Sequence, residues 1–298
     1  MNTKLETINE REDSYLALVI RRFKRHKLAV AGIVIMVIVA ILAIAAPLLA
    51  PYAPNELSGP FSGKPSLVHL LGTDQVGRDQ LSRVIYALRV SLLVGLGSMA
   101  IALGIGVILG LVSGYVGGVI DMIIMRVTDI FMAFPSIMLI LVLASIIGPG
   151  LLNIILILGF LGWPNIARLV RGNVLAIKQT AYIKSSIVMG ISTTRILFSH
   201  ILPNCIAPIL VYATSGIAAA IIDEAALSFL GLGVQPPTAS LGNMLNNAQS
   251  LTILTSKPWL WLPPGLMIIL AVLSINFIGD ALRDALDPKN NLTVKNKN

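Results

Sequence analysis

Apolar residues fall in six blocks separated by polar segments, and the spacing of those blocks sets the first expectation. Residues 28–50 run for 23 positions without a charge, and a helix needs about 20 apolar residues to cross a bilayer core. Further blocks lie at about 90–115, 130–147, 151–167, 206–222 and 259–278. The first is too long for a signal-peptide core and follows a polar leader, so it reads as an uncleaved span. The pattern predicts an all-α polytopic membrane protein with six transmembrane helices. Within the second block, Gly106, Gly110 and Gly114 recur every four residues and present one bare helical face for close packing against a neighbour. Pro135 is expected to kink the third span. Asn153 and Asn165, near the ends of the fourth, are expected to face protein or water.

The polar segments carry patterns of their own. Residues 51–89 are rich in Pro, Gly and charge and read as an outer loop. It is expected to end in a short amphipathic helix lying in the interface, with Leu81, Ile85 and Leu88 on its apolar face. Asp74, Arg78 and Asp79 are spaced to pair and fix that loop. Residues 181–204 form a long amphipathic stretch that predicts two short helices hinged at Gly190. Ile183 and Ile187 share one side and Leu197 and Ile201 the other, Ser192 or Thr193 caps the second helix, and Pro203 closes it. Residues 225–237 are expected to make a re-entrant or interfacial turn, with Trp259 and Trp261 in an aromatic belt. Residues 280–289 are expected to form a separate amphipathic helix. The chain thus divides into a leader (1–27), a first span (28–50), an outer loop (51–89), a core (90–285) carrying the amphipathic loop at about 178–204, and a disordered tail (286–298).

Composition excludes a soluble globule, since 56% of residues are hydrophobic and 12% charged. The net charge of +8 could suggest a nucleic-acid partner, but its distribution argues otherwise. Sixteen Lys and Arg lie in the leader, the 168–195 region and the tail, against five in the segments on the other side. This asymmetry predicts that both termini and the 181–204 loop are cytoplasmic. Cys205 is the single cysteine, so neither an intrachain disulfide nor a cysteine-based metal cluster is expected.

Little in the chain promises chemistry of its own. It has no GxxxxGK[ST] phosphate loop, and His26, His69 and His200 lack ligand spacing. Ser91, Ser98 and Ser113 read as helix-face serines with no base beside them. No catalytic, cofactor or metal site is expected. The ionisable residues near the apolar blocks are Arg126 and Asp129, one turn apart and spaced to neutralise each other near the inner boundary, and Asp223 with Glu224 near the outer one. Together with Asn153 they are the candidates for a pathway or gate. A coupled carrier would place a carboxylate at mid-membrane. With none there, any driving energy is expected to arrive from elsewhere, through the amphipathic loop.

Two strings resemble a known family. Lys184-Ser185-Ser186, then Gly190, then Leu202-Pro203 resembles the Glu-Ala-Ala…Gly…Leu-Pro loop of bacterial ABC importer permeases, with Lys where Glu is usual and Ser where Ala is usual. GTDxxGRDxxSR at 72–83, followed by RVSL, resembles the C-type permease of dipeptide, oligopeptide and nickel importers. The resemblance implies the type I ABC importer permease fold in a bacterial cytoplasmic membrane. It also implies a heterodimer with a B-type permease, two ATP-binding subunits that carry ATP and Mg, and an extracytoplasmic solute-binding protein. On this resemblance Tyr182, Lys184, Ser185, Ser186, Gly190, His200, Leu202 and Pro203 form the loop that couples to the ATPases. Peptides are the implied substrate, with nickel or a metal chelate as the alternative.

Overall fold

The computed structural model describes residues 20, 21, 23, 24 and 26–286. Most of the basic leader and nearly all of the expected disordered tail lie outside these residues. Among the described residues the chain is helical, and its only β-type pairing is two isolated bridges, Leu57 with Arg78 and Thr73 with Asp79. The helices are α1 (Lys27–Ile44), α2 (Ala46–Leu49), α3 (Gln80–Val116), α4 (Gly118–Met132), α5 (Ser136–Ile147) and α6 (Leu151–Lys178). They continue as α7 (Ala181–Val188), α8 (Thr193–Phe229), α9 (Leu241–Leu245), α10 (Leu251–Ser256) and α11 (Leu262–Leu286).

Five helices, α1, α3, α6, α8 and α11, are long and apolar enough to cross a membrane, and α4 with α5 supplies a sixth crossing if that bent pair is one span. The third span therefore differs from the single kinked helix expected at 130–147. Its two arms meet at 84°. Pro135 donates no backbone N–H and forces Phe134 out of the helical region, so α4 stops and α5 starts afresh. At 12 residues and about 18 Å, α5 is too short to cross alone.

Three helices outrun their apolar blocks. The amphipathic helix expected to lie separately in the interface is the first part of α3, which continues unbroken for 37 residues, or about 55 Å. Its Val84, Ala87 and Leu88 pack into a cluster with Val39 and Ala43 of α1 and Leu241 and Met244 of α9, so this face is covered by protein. Asp79 caps the helix by accepting from Ser82 N at 2.8 Å. The segment expected at 280–289 is likewise continuous with the sixth span, as part of α11. Residues 225–229 extend α8, and the turn beyond them buries Val234 in a cluster with Ile140, Ile154 and Leu227.

The outer segment 51–79 is held by charge and by hydrogen bonds. The Asp74 carboxylate accepts from Arg78 Nε at 2.6 Å and from the backbone N–H groups of Val76 and Arg78, the pairing its spacing suggests. Buried Arg83 adds a contact to Asp74 at 3.6 Å and donates to the Pro54 carbonyl at 3.0 Å. His69 Nδ1 lies 2.9 Å from Asp79 Oδ1, so the residue that caps α3 also anchors the loop. Gln80 ties this end of α3 to the start of α11 by donating to the Leu260 carbonyl at 2.7 Å.

The most extensive helix pairing is α3 along α6. A Cβ placed on Gly106 would stand 2.6 Å from Ile166 Cβ, and on Gly110 or Gly114 it would stand 2.7 Å from the Cβ of Val170 or Val174. The three bare positions are filled by three branched side chains, which is how the backbones come so close. Ion pairs fasten α4 to the same helix. Arg171 bonds both oxygens of Asp121 at 2.6 Å, and Asp121 also accepts from Ser113 of α3. Asp129 pairs with Arg168 at 2.6 Å, not with Arg126 as the sequence suggested. Both groups of that second pair are about half exposed, where such a bridge contributes little.

Gly110→Val drives a side chain into Val170 and the Ala167 carbonyl, so the detergent-purified protein should lose about 1–3 kcal/mol of stability by thermal unfolding. Gly104→Ala, where the added Cβ meets nothing within 4 Å, should be neutral or slightly stabilising. For the ion pair, Asp121→Arg and Arg171→Asp should each lower the unfolding temperature, and the double exchange should recover much of the loss. A double variant no better than the singles would show that the pair's geometry, and not its charge, is what matters.

Candidate functional site

The amphipathic loop folds as two helical arms around a glycine. The first arm, α7, ends in a Schellman motif: Ile191 N donates to Ser186 O at 3.1 Å and Gly190 N to Ile187 O at 3.0 Å. This closure needs a left-handed residue, and Gly190 has φ +72, a conformation that costs any residue with a Cβ. Ser192 precedes the second arm with an extended backbone, as expected of a cap, but its side chain makes no capping bond. Pro203 does not close the second arm. A π-helical turn, Ile196–Ile201, leads into Leu202–Phe229, and Pro203 sits in the first turn of that continuation, where a missing N–H is tolerated.

The two faces of the loop differ. Ile183 is 0% exposed and joins Ile196, Ile201, Val170, Val174 and Leu111 in one core, so the loop is seated on the ends of α3 and α6. Ser186 faces the same way and donates to Tyr182 O at 2.9 Å, which lets a hydroxyl replace a methyl in a buried position. Ile187, expected beside Ile183, points outward instead; the buried partner on that face is the residue three positions on, Ser186. Tyr182, Lys184, Ser185, Ile187, Val188 and Met189 are exposed, as is Phe198 on the second arm. Val188 is 88% exposed. Sequence reasoning missed Asn204, which donates to His200 O at 2.6 Å and to the Tyr182 hydroxyl at 3.3 Å, linking the two arms. It also missed Lys178, which donates to the Tyr115 carbonyl at 2.6 Å and so joins the ends of α6 and α3.

A second feature lies among α3, α5, α6 and α8. Here a cavity of about 180 Å³ is lined by Ser98, Ser136, Asn165, Tyr212 and Asp223, with small or apolar residues between them. An adjoining space of about 200 Å³ shares Ser136, Leu161 and Asn165 with it. The α8 wall consists of Tyr212, Gly216, Ala219, Ala220 and Asp223, a stripe at spacings of three and four that was readable in the sequence as one helical face.

The remaining candidates separate. Asp223 faces the cavity, whereas Glu224 is 0% exposed and accepts from Ser228 at 2.7 Å and Ser91 at 3.4 Å. Glu224 thus knots α8 to α3 and does not line the cavity. Asn153 donates to the Gly148 carbonyl at 3.1 Å, in the turn before α6. Arg126 and Asp129 lie away from the cavity lining.

Similarity to known proteins fits this architecture. Residues 106–291 match the family described as binding-protein-dependent transport system inner membrane component, and residues 14–65 match the N-terminal TM domain of oligopeptide transport permease C. The dipeptide transport system permease protein DppC of Alkalihalophilus pseudofirmus is 43% identical over 285 residues, 93% of each chain. A putative peptide permease protein of Brucella suis is 43% identical over 269 residues, 90% of this chain and 89% of that one. The glutathione transport system permease protein GsiD of Pectobacterium atrosepticum is 44% identical over 272 residues, 90% and 89% of the two chains. Among solved structures, the inward-facing MetNI methionine ABC transporter aligns with TM-score 0.56 at 20% identity, over 69% of this chain and 97% of that one, a likeness of fold. With its span pattern, its seated loop and these relatives, the chain belongs to the binding-protein-dependent transport system inner membrane components, the multi-pass permeases of ABC importers.

Proposed function

We propose that this chain is the C-type permease of an ATP-driven importer of short peptides. It pairs with a related B-type permease, receives peptide from an extracytoplasmic binding protein, and is driven by two ATP-binding subunits. ATP and Mg sit on those subunits; this chain has no ATPase site and binds no cofactor. Both termini and the 181–204 loop are cytoplasmic, as the distribution of Lys and Arg supports.

The observation that carries this reading is the loop itself. A helix of eight residues, locked at one end by Gly190 and seated by Ile183, leaves Tyr182, Ile187, Val188 and, at its cap, Met189 exposed around the sides that Ile183 and Ser186 do not bury. A short helix with so much apolar surface uncovered is suited to a groove on a partner protein. The second arm is the beginning of α8, so a displacement imposed on the loop reaches the helix that walls the cavity. Closure of the ATPases on ATP then biases a two-state equilibrium between inward- and outward-open forms. Peptides are the substrate class supported by the dipeptide and peptide permeases among the relatives.

The test is affinity purification of the tagged chain from its native membrane, followed by uptake in reconstituted vesicles. A second permease and the ATPases should come with it. Gly190→Pro removes the N–H bonded to Ile187 and cannot adopt φ +72. It should abolish uptake while peptide binding to the external receptor persists, and a large side chain at Ser186 should act similarly. Gly190→Ala should cost about 1 kcal/mol at the hinge and leave partial uptake. Normal uptake in Gly190→Pro, or a chain that purifies alone and transports alone, would refute the assignment.

A further inference from the structure

The cavity lining contains one charged side chain. Among the residues bordering the two adjoining spaces there is no Lys, Arg or His, and Asp223 is the single carboxylate. Its neighbour Glu224 is hydrogen-bonded by serines, Ser91 and Ser228 among them, but among the described residues Asp223 has no ion pair and no hydrogen bond from a side chain. Ser98 adds a second unmet group. It is 2% exposed, it lines the same cavity, and its hydroxyl has no hydrogen-bond partner. An unpaired carboxylate and an orphan hydroxyl facing one space define a demand for hydrogen-bond partners, a donor for the carboxylate among them, that the protein does not supply.

We propose that Asp223 pairs with the α-ammonium group of a peptide in transit, with Ser98, Asn165 and Tyr212 hydrogen-bonding its neutral backbone. The assignment rests on the peptide-importer reading and names the group in the pathway that senses the substrate's amino end. An ammonium fits the chemistry better than a metal ion. It needs one anionic acceptor and a few neutral ones, whereas a hard divalent cation needs six or more oxygens, and no cluster of three potential ligands occurs among the described residues. A free carboxyl end would be repelled by Asp223. Dimensions agree as well: Tyr212 and Asp223 are 11 residues apart on α8, about 16 Å, and an extended di- or tripeptide spans about 7–11 Å.

The experiment uses the complete importer, purified with its partner permease and ATPases into lipid nanodiscs without the binding protein. The probes are alanyl-photoleucine and its N-acetyl derivative, with crosslinking to this chain read by mass spectrometry. The wild type should be labelled about tenfold more strongly by the free-amino dipeptide, the scale of a hydrogen-bonded charge. Asp223→Asn should bring that ratio to about one, and Asp223→Glu should retain it. If the Asn variant fails to assemble, Ala219→Lys decides the matter. It lies one turn before Asp223 in the cavity wall and should lower the ratio by occupying the carboxylate. An unchanged ratio in Asp223→Asn or Ala219→Lys, or equal labelling of the wild type by both probes, overturns the proposal. Peptide uptake by the full system without labelling here overturns the Asp223 site alone; absence of peptide uptake overturns the importer reading and the site with it.

Discussion

Within lipid, helices gain nothing by hiding apolar surface from one another, because the tails around them are equally apolar. Adhesion must come from close contact, and here it is concentrated where Gly106, Gly110 and Gly114 of α3 receive Ile166, Val170 and Val174 of α6. The rest of the structure is arranged around this seam. The core on which α7 sits includes Ile166, Val170 and Val174 from the same pairing. The cavity is bounded by the same two helices, with Ser98 and Ala102 on α3 and Leu158, Gly162 and Asn165 on α6. Loop and cavity are therefore referenced to one rigid element.

Polar residues contribute at the margins of the bundle, each in a different way. At the loop end, Asp121 and Arg171 clamp α4 to α6, and Lys178 draws the ends of α3 and α6 together through Tyr115. In the outer segment, Asp79 both starts α3 and holds His69, while Asp74 gathers Arg78 and Arg83. Deeper, Glu224 is accommodated without a cation because Ser91 and Ser228 donate to it, and Ser228 also accepts from the Val234 backbone. That knot fixes the residues beside Asp223 and leaves its own carboxylate turned toward the cavity.

Much of this was legible in the chain. The apolar blocks located the spans, the i+4 glycines marked the packing face, and Gly190 marked the hinge, since each depends on local composition and spacing. Helix ends were not legible in the same way. Polarity changes where a helix leaves the membrane, but nothing at Val90 or Ile278 stops the backbone, so α3 and α11 run on. Pro135 and Pro203 illustrate the complementary difficulty. One breaks its span at 84°, whereas the helix runs on past the other, which directly follows the π-helical turn, a difference set by what precedes each proline. The partners of Asp129 and Asp121 lie 39 and 50 residues away, beyond any local pattern, and the stripe from Tyr212 to Asp223 gained meaning only once the facing helices were in place.

The continuity of α8 has a mechanical consequence. One helix of 37 residues, about 55 Å long, starts at Thr193 in the exposed loop and passes Tyr212 and Asp223 on its way to Phe229. From Ile209 onward no proline interrupts it; its softer features, the π turn, Pro203 and Pro208, lie toward the loop. A rod of this length tilted by about 10° around its midpoint carries each end about 5 Å in opposite directions. Displacement at the foot would then be returned as a smaller displacement of opposite sense, about 3 Å, near Asp223, so that the helix acts as a balance beam, widening the bundle at one face as it narrows the other.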